Sequence, residues 1–178
     1  IREVAGDSIW GEDGDTPDSQ VASLLTGTGQ TLGVFEAFTG GLLAARLAAH
    51  SGSERFLKGS FVAVDREALG RHGVGTHLIE EHGMASAPTA GAMAEAARQM
   101  FDADIGLAVT GTDADSASAG TSYGASYIGF AVGEETTSLA GRHPGRGTRM
   151  RQRVVTHALL GLGQLLSRGS PISLELRR

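Results

Sequence analysis

Between Thr31 and Leu43 the chain reads T-L-G-V-F-E-A-F-T-G-G-L-L, an apolar run that breaks at Thr39-Gly40-Gly41 and restarts with helical spacing. A strand that turns sharply into a helix commits the chain to a layered αβ arrangement, because each element has an apolar face to bury against the other. The two glycines let the backbone approach a bound group with no Cβ in the way. The helix that follows begins with unpaired N–H groups that favour an anion or a developing oxyanion. The position before the turn where a nucleophile would stand is Ala37.

Similar patterning continues along the chain. Thr16-Pro17 starts a helix, with Thr16 able to cap it and Pro17 suited to its first position; it should stop near Gly27 or Gly29. After a strand over 31–36, Leu42, Leu43, Leu47 and Ala49 share one face of a second helix ending near Ser51-Gly52-Ser53. Arg46 falls within that face, so it must either reach water along its stem or find a buried partner. Phe61 to Val64 reads as a short buried strand. A helix starts near Ser86 and Pro88, with Ala90, Met93, Ala94, Ala97, Met100 and Phe101 as its inward stripe. Ile105 to Val109 is apolar apart from its glycine, which implies burial on both faces of a sheet. Strands over Ala125 to Val132 and Ser138 to Gly141 follow a loop rich in Gly, Ser, Ala and Asp. Met150, Val154, Val155, Ala158, Leu159, Leu162, Leu165 and Leu166 then line one side of the longest helix, Pro171 closes it, and Ile172 to Leu176 suits an edge strand.

This alternation predicts an α/β fold, a three-layer α/β/α sandwich with a mixed sheet. Residues 1–16 read as an irregular amino-terminal arm and 17–178 as a single domain, a size that 178 residues suit. No internal repeat or second domain is evident. A 40% hydrophobic composition with no apolar run near 18 residues points away from a membrane span. No signal peptide is recognisable, and the absence of cysteine excludes disulfides, thiolate catalysis and cysteine-ligated zinc. Together these place the expected location in the cytoplasm. The chain begins at Ile1, which reads as processing, truncation or a fragment.

A formal charge of −5 argues against general nucleic-acid binding. Locally, however, Arg142, Arg146, Arg149, Arg151 and Arg153 concentrate positive charge around His143, enough for one small phosphate-bearing ligand or, equally, a solvated helix face. His77 and His82 flank Glu80 and Glu81, but H-L-I-E-E-H fits neither zincin arrangement and reads as an ordinary helix end. Asp113-Ala114-Asp115-Ser116 has the alternating acids of a calcium loop without its glycine and terminal glutamate, so no metal is expected there.

Six segments in the same order resemble the CinA carboxy-terminal domain family. The turn at 36–41, F-E-A-F-T-G-G with its flanking residue, is similar to that family's A-E-S-C-T-G-G. Gly6 to Asp13 resembles its opening segment, Val62-Ala63 the start of its V-A-Y-S-N-E-x-K strand, and Leu78 to Gly83 its L-I-E-E-H-G helix end. Asp104 to Gly111 reads D-I-G-L-A-V-T-G, identical to the family strand, and Tyr127-Ile128 after Gly124 matches G-x-V-Y-I with Ser126 in place of valine.

The resemblance implies nicotinamide mononucleotide deamidase chemistry, in which a serine nucleophile is served by a lysine base and supported by tyrosine, threonine and arginine. Carried over by position, the serine falls at Ala37, the tyrosine at Val64 and the lysine at Leu69, while threonine and arginine persist as Thr110 and Arg151. A methyl group cannot form an acyl-enzyme and leucine cannot accept a proton. Losing such members typically costs about 10⁴ to 10⁶ in turnover. Val64 and Leu69 are expected to bury and make the cleft drier. Lys58, the chain's lone lysine, shares a strand face with Ser60 and is one route to a displaced catalytic pair; Thr39 is another, with helix capping as its plainer role.

Three readings follow. The first is a non-catalytic relative that binds a nucleotide-like ligand through Thr39, Gly40, Gly41, Thr110, Gly111 and Arg151, or serves as an interaction domain. The second is an amidohydrolase with relocated machinery, in which Lys58 or a histidine converges on the Thr39 turn. The third is a structural partner of an amino-terminal domain, with Phe38 or Phe61 filling the cleft. Thr112-Asp113-Ala114-Asp115 stands where the family has I-A-G-P, which adds negative charge near a phosphate. The resemblance implies no cofactor, and it implies a homo-oligomer.

Overall fold

The computed structural model describes residues 16–112, 124–143 and 145–168. The expected amino-terminal arm, the acidic stretch 113–116 and the strand at 172–176 lie outside these residues. The first helix, α1, spans Pro17–Thr28 and is fixed at both ends by local chemistry. Thr16 accepts from the Ser19 N–H while the Ser19 side chain accepts from the Thr16 N–H, and Gly29 ends the helix in the left-handed conformation.

Five strands follow: β1 Leu32–Glu36, β2 Leu57–Val62, β3 Ile105–Gly111, β4 Ala125–Val132 and β5 Glu135–Arg142. They form one mixed sheet in the order β2-β1-β3-β4-β5, with β1 parallel to β2 and β3, and antiparallel pairing beyond. The remaining helices are α2 Leu42–Ala48, α3 Arg66–Arg71, α4 Thr76–His82, α5 Ala87–Met100 and α6 Gly147–Arg168.

Strand alternation sorts the core into two layers. On one face Leu32, Val34, Ile105, Leu107, Val109, Ile128 and Phe130 meet α1, α2 and the Met150, Val154, Leu159 and Leu162 side of α6. On the other, Phe35, Ala108 and Ala131 meet Leu69 of α3, Ile79 of α4 and Met93, Ala94 and Ala97 of α5. The three-layer α/β/α expectation is thus met. Helix α5 lies unusually close to the sheet because the strands beneath it carry glycine. A Cβ at Gly106 would stand 1.9 Å from the Ala94 carbonyl oxygen, and one at Gly129 would stand 2.0 Å from that of Ala90.

Two local readings need correction. The strand expected at Phe61 to Val64 begins earlier, at Leu57, and is an edge strand of alternating exposure, with Val62 43% exposed. An edge strand has one neighbour and water on the other side, so its apolar end does not require burial. Met100, assigned to the inward stripe of α5, is also exposed, because the helix ends there and its last turn clears the sheet; Ala49 similarly lies exposed just past α2. Arg46 finds partners in the interior: it donates to Asp18 of α1 and, at 3.0 Å, to the Thr156 hydroxyl of α6, while His50 contacts Asp18 at 3.0 Å. This cluster ties together the three helices of one layer.

Candidate functional site

The chain leaves β1 toward β2 on one side and returns to β3 on the other, with α2 on one face and α3 to α5 on the opposite face. That reversal opens a crevice at the carboxyl ends of β1 and β3, where open α/β sheets hold ligands. The turn after β1 therefore stands where the sequence placed it. Ala37 N–H donates to the Val109 carbonyl at 2.9 Å, and Gly40 and Gly41 have φ of 66° and 92°, values that a side chain would strain.

The turn is organised by a residue absent from the sequence-based candidates. Glu36, fully buried, turns its carboxylate back onto the start of α2. Its Oε2 accepts from the Thr39 hydroxyl at 2.5 Å and from the Gly41 and Leu43 N–H groups at 3.1 Å; its Oε1 accepts from the Ala44 N–H at 2.9 Å. The chain's own carboxylate thus occupies the anion position expected at this helix start, and Thr39 serves Glu36 where helix capping or nucleophilic attack was considered. The signal lay in the sequence: a charged residue ending an apolar strand must find partners when buried.

The other wall is similarly committed. The Thr110 hydroxyl donates to the Met84 carbonyl at 2.8 Å, which ties β3 to the segment before α5. Gly111 backs onto Phe38, whose Cδ1 would lie 3.2 Å from a Cβ there, and the Arg151 guanidinium carbon stands 5.5 Å from the Phe38 ring centroid. The structure thus brings Thr39, Gly41 and Glu36 together in the turn, and Phe38 with Gly111 and Arg151 beside it. Gly40 is exposed at the tip. Among the described residues no group of three or more His, Asp or Glu side chains is placed to hold a metal ion, and no helix is long and apolar enough to cross a membrane.

A second polar locus lies further across the same sheet face. The register pairs Gly111 with Ser126 and Ser126 with Gly141. A Cβ on Gly141 would meet His143 Nε2 at 2.8 Å and His157 Nδ1 at 2.9 Å, so two imidazoles occupy the space that glycine leaves. The rings are 5.3 Å apart, and Ser126 Oγ, His143 Nε2 and His157 Nδ1 are all buried without a hydrogen-bond partner. Burial holds both imidazoles below the usual histidine range; for His143 the charges of His157 and Arg153 add to it. The two rings border a cavity of about 640 Å³ between β5 and α6, further lined by Arg142, Arg149, Arg153 and Thr156. The five clustered arginines therefore divide: Arg142, Arg149 and Arg153 face this cavity with His143, Arg151 turns to Phe38, and Arg146 lines neither. His157 was hidden in the sequence by its place on an otherwise apolar helix side.

Residues 15–166 match the CinA C-terminal domain. The chain belongs to the CinA C-terminal domain family. It is 38% identical to the CinA-like protein of Mycobacterium tuberculosis (strain ATCC 25618 / H37Rv), an alignment covering 96% of this chain but only 40% of that protein. It is 43% identical over 111 residues to the CinA-like protein of Geotalea daltonii, covering 62% of this chain and 27% of that one. Among solved structures, a CinA superfamily protein from Klebsiella pneumoniae superposes with a TM-score of 0.82 at 24% identity, covering 85% of this chain and 96% of that one. A competence or damage-inducible protein from Enterobacter asburiae gives 0.79 at 26%, covering 85% and 99%.

The three positions to which the resemblance carries the family's serine, tyrosine and lysine do not form one dry wall. Leu69 is fully buried in the core under α3, and Ala37 is half-buried at the strand end, but Val64 is 72% exposed, which corrects the expectation that it would bury. It follows the edge strand into the link before α3, where no described residue covers it. Lys58 and Ser60 do share the exposed face of β2, but Lys58 stands at the opposite end of the parallel strands from the turn, near enough to Asp104 to help hold that carboxyl low. Phe61 stacks on His72 with ring centroids 3.8 Å apart and packs on the α3 side of the sheet, whereas Phe38 is buried in the core on the α6 side.

Proposed function

We propose that this CinA-family domain is non-catalytic toward nicotinamide mononucleotide and acts as a binding and interaction module. The observation that carries the reading is the carboxylate of Glu36. It takes the Thr39 hydroxyl and three N–H groups at the turn, next to an Ala37 that cannot attack and a Leu69 that cannot take a proton. Thr39 and Gly41 serve Glu36 and Thr110 serves Met84, while Arg151 stands over the Phe38 ring. A nucleotide-like ligand at the turn would therefore rely on the Gly40 and Gly111 backbone and on Arg151 leaving its present contacts, beside a Phe38 that is buried in the core. The proposed partners are further copies of the chain and the remainder of a longer protein of the mycobacterial kind, with no nucleic acid or membrane among them; the setting we propose is cytoplasmic. Incubation of the purified chain with nicotinamide mononucleotide, with ammonia as the readout, tests the reading. No release above a protein-free control is expected.

One observation favours a second reading, an amidase with relocated machinery. Ser126 and two imidazoles share a buried locus next to Gly111, which brings a hydroxyl and two bases toward the crevice. No Ser126 hydrogen bond to either ring exists, and its Oγ is buried, so the nucleophile and base contact that such chemistry needs is absent from this conformation. Ammonia release abolished by Ser126→Ala or His157→Gln would establish this reading instead.

A further inference from the structure

We propose that the cavity between β5 and α6 is a binding site for a phosphate-bearing anion, gripped by the guanidiniums of Arg142, Arg149 and Arg153 and floored by His143 and His157. The inference goes beyond the reading of the turn and does not rest on it. Arg151 leaves α6 about 200° around the helix from Arg149, on the side facing Phe38, so the two sites can be altered separately.

Three observations carry the assignment. First, among the described residues the lining holds three guanidiniums from two elements and no carboxylate, on a chain of net charge −5. Such local reversal of sign selects an anion, and guanidiniums approaching from two sides suit the several oxygens of phosphate better than one carboxylate. Second, Arg142 and Arg149 make no ion pair or hydrogen bond with any described residue, unlike Arg46 and Arg98, which are held by Asp18 and Glu95. Third, the floor is polar: His143 and His157 line the cavity, and one ring nitrogen of each is buried at Gly141 without a partner. Buried polar groups without a partner are rare in native interiors. A divalent cation fits poorly, because two imidazoles, with no third ligand among the described residues, would have to hold it against three guanidiniums. The cavity of about 640 Å³ has room for more than the phosphate itself.

Isothermal titration calorimetry of the chain with inorganic pyrophosphate, adenosine monophosphate and adenosine tests the proposal. Pyrophosphate or the monophosphate is expected to bind and adenosine not to bind. Arg142→Gln and Arg149→Gln are each expected to weaken binding by about tenfold or more, while Arg146→Gln, which lines neither site, leaves it unchanged. Both cavity arginines are exposed, so their replacement should leave the melting temperature in place. Stronger binding of the monophosphate than of pyrophosphate would identify a nucleotide as the source of the phosphate; the reverse would identify a free phosphate compound. Absence of binding by every phosphate, or binding that survives loss of Arg142 and Arg149 but disappears in Arg151→Gln, would overturn the proposal; the latter result would instead support the turn as the ligand site.

Discussion

Replacing Glu36 by glutamine isolates the contribution of the carboxylate that organises the turn. The amide oxygen can stand in for Oε2 and keep the Thr39, Gly41 and Leu43 donors, but the new NH₂ group then faces the Ala44 N–H that Oε1 now accepts. One hydrogen bond is lost and one buried donor is left unsatisfied, a cost of about 1–3 kcal/mol. Removing the negative charge from the start of α2 adds about 1 kcal/mol. The sum, about 3 kcal/mol, corresponds to a melting temperature lower by about 6–12 °C for a domain of this size. Glu36→Ala orphans all four donors and should cost about 4 kcal/mol or more. Urea unfolding followed by far-ultraviolet circular dichroism gives both values, provided the slope with denaturant is unchanged. Glu36→Gln within about 0.5 kcal/mol of wild type would refute the idea that this carboxylate holds the turn.

Asp18 should make the fold acid-sensitive over a narrow window. Burial alone would raise its carboxyl, yet hydrogen bonds from Arg46 and His50 bring it to about 2, against 3.8 for a free aspartate. A depressed acid stabilises the fold above its unfolded pKa and loses that contribution as pH falls through the folded value. About 2 kcal/mol should therefore disappear between about pH 4 and pH 2 and be missing at all pH values in Asp18→Asn; a variant with the same acid profile as wild type would contradict this. The two cavity histidines act in the same direction at higher pH. Their folded pKa values lie below 6.5, so their contribution is present above that pH and lost as pH drops through the folded values. In nuclear magnetic resonance titrations both C2 protons should shift below pH 6.5, and titration of either at or above that value would show that the rings are solvated. Gly129→Ala drives a methyl against the Ala90 carbonyl and should destabilise the domain by about 3 kcal/mol, whereas Gly27→Ala, with nothing within 4 Å, should change little.

Most of the fold was legible because buried parallel and antiparallel strands have short apolar runs that leave few alternatives. Ile105 to Val109 and Ala125 to Val132 were placed correctly, and the Thr16, Ser86 and Gly29 boundaries follow from local capping that needs no tertiary information. Strand β2 was misplaced because periodicity cannot tell an edge strand, whose apolar residues alternate with exposed ones, from a short buried run. The site was only half legible. The crevice location follows from the strand-turn-helix pattern, but the use of Thr39 and Gly41 by Glu36 depends on a side chain folding back across its own turn, a distance no spacing rule gives. The concentration of arginines was visible, whereas its division between the β5–α6 cavity and Phe38 is decided by helical phase together with the pairing of Gly141 against Ser126.

Ammonia release from nicotinamide mononucleotide by the purified chain bears most directly on the proposal that Ala37 and Leu69 leave this domain without amidase chemistry. With wild type and Ser126→Ala measured side by side, both should match the rate without protein. Sustained turnover by wild type that vanishes in Ser126→Ala or Thr39→Ala would contradict the assignment of this domain as a binding module.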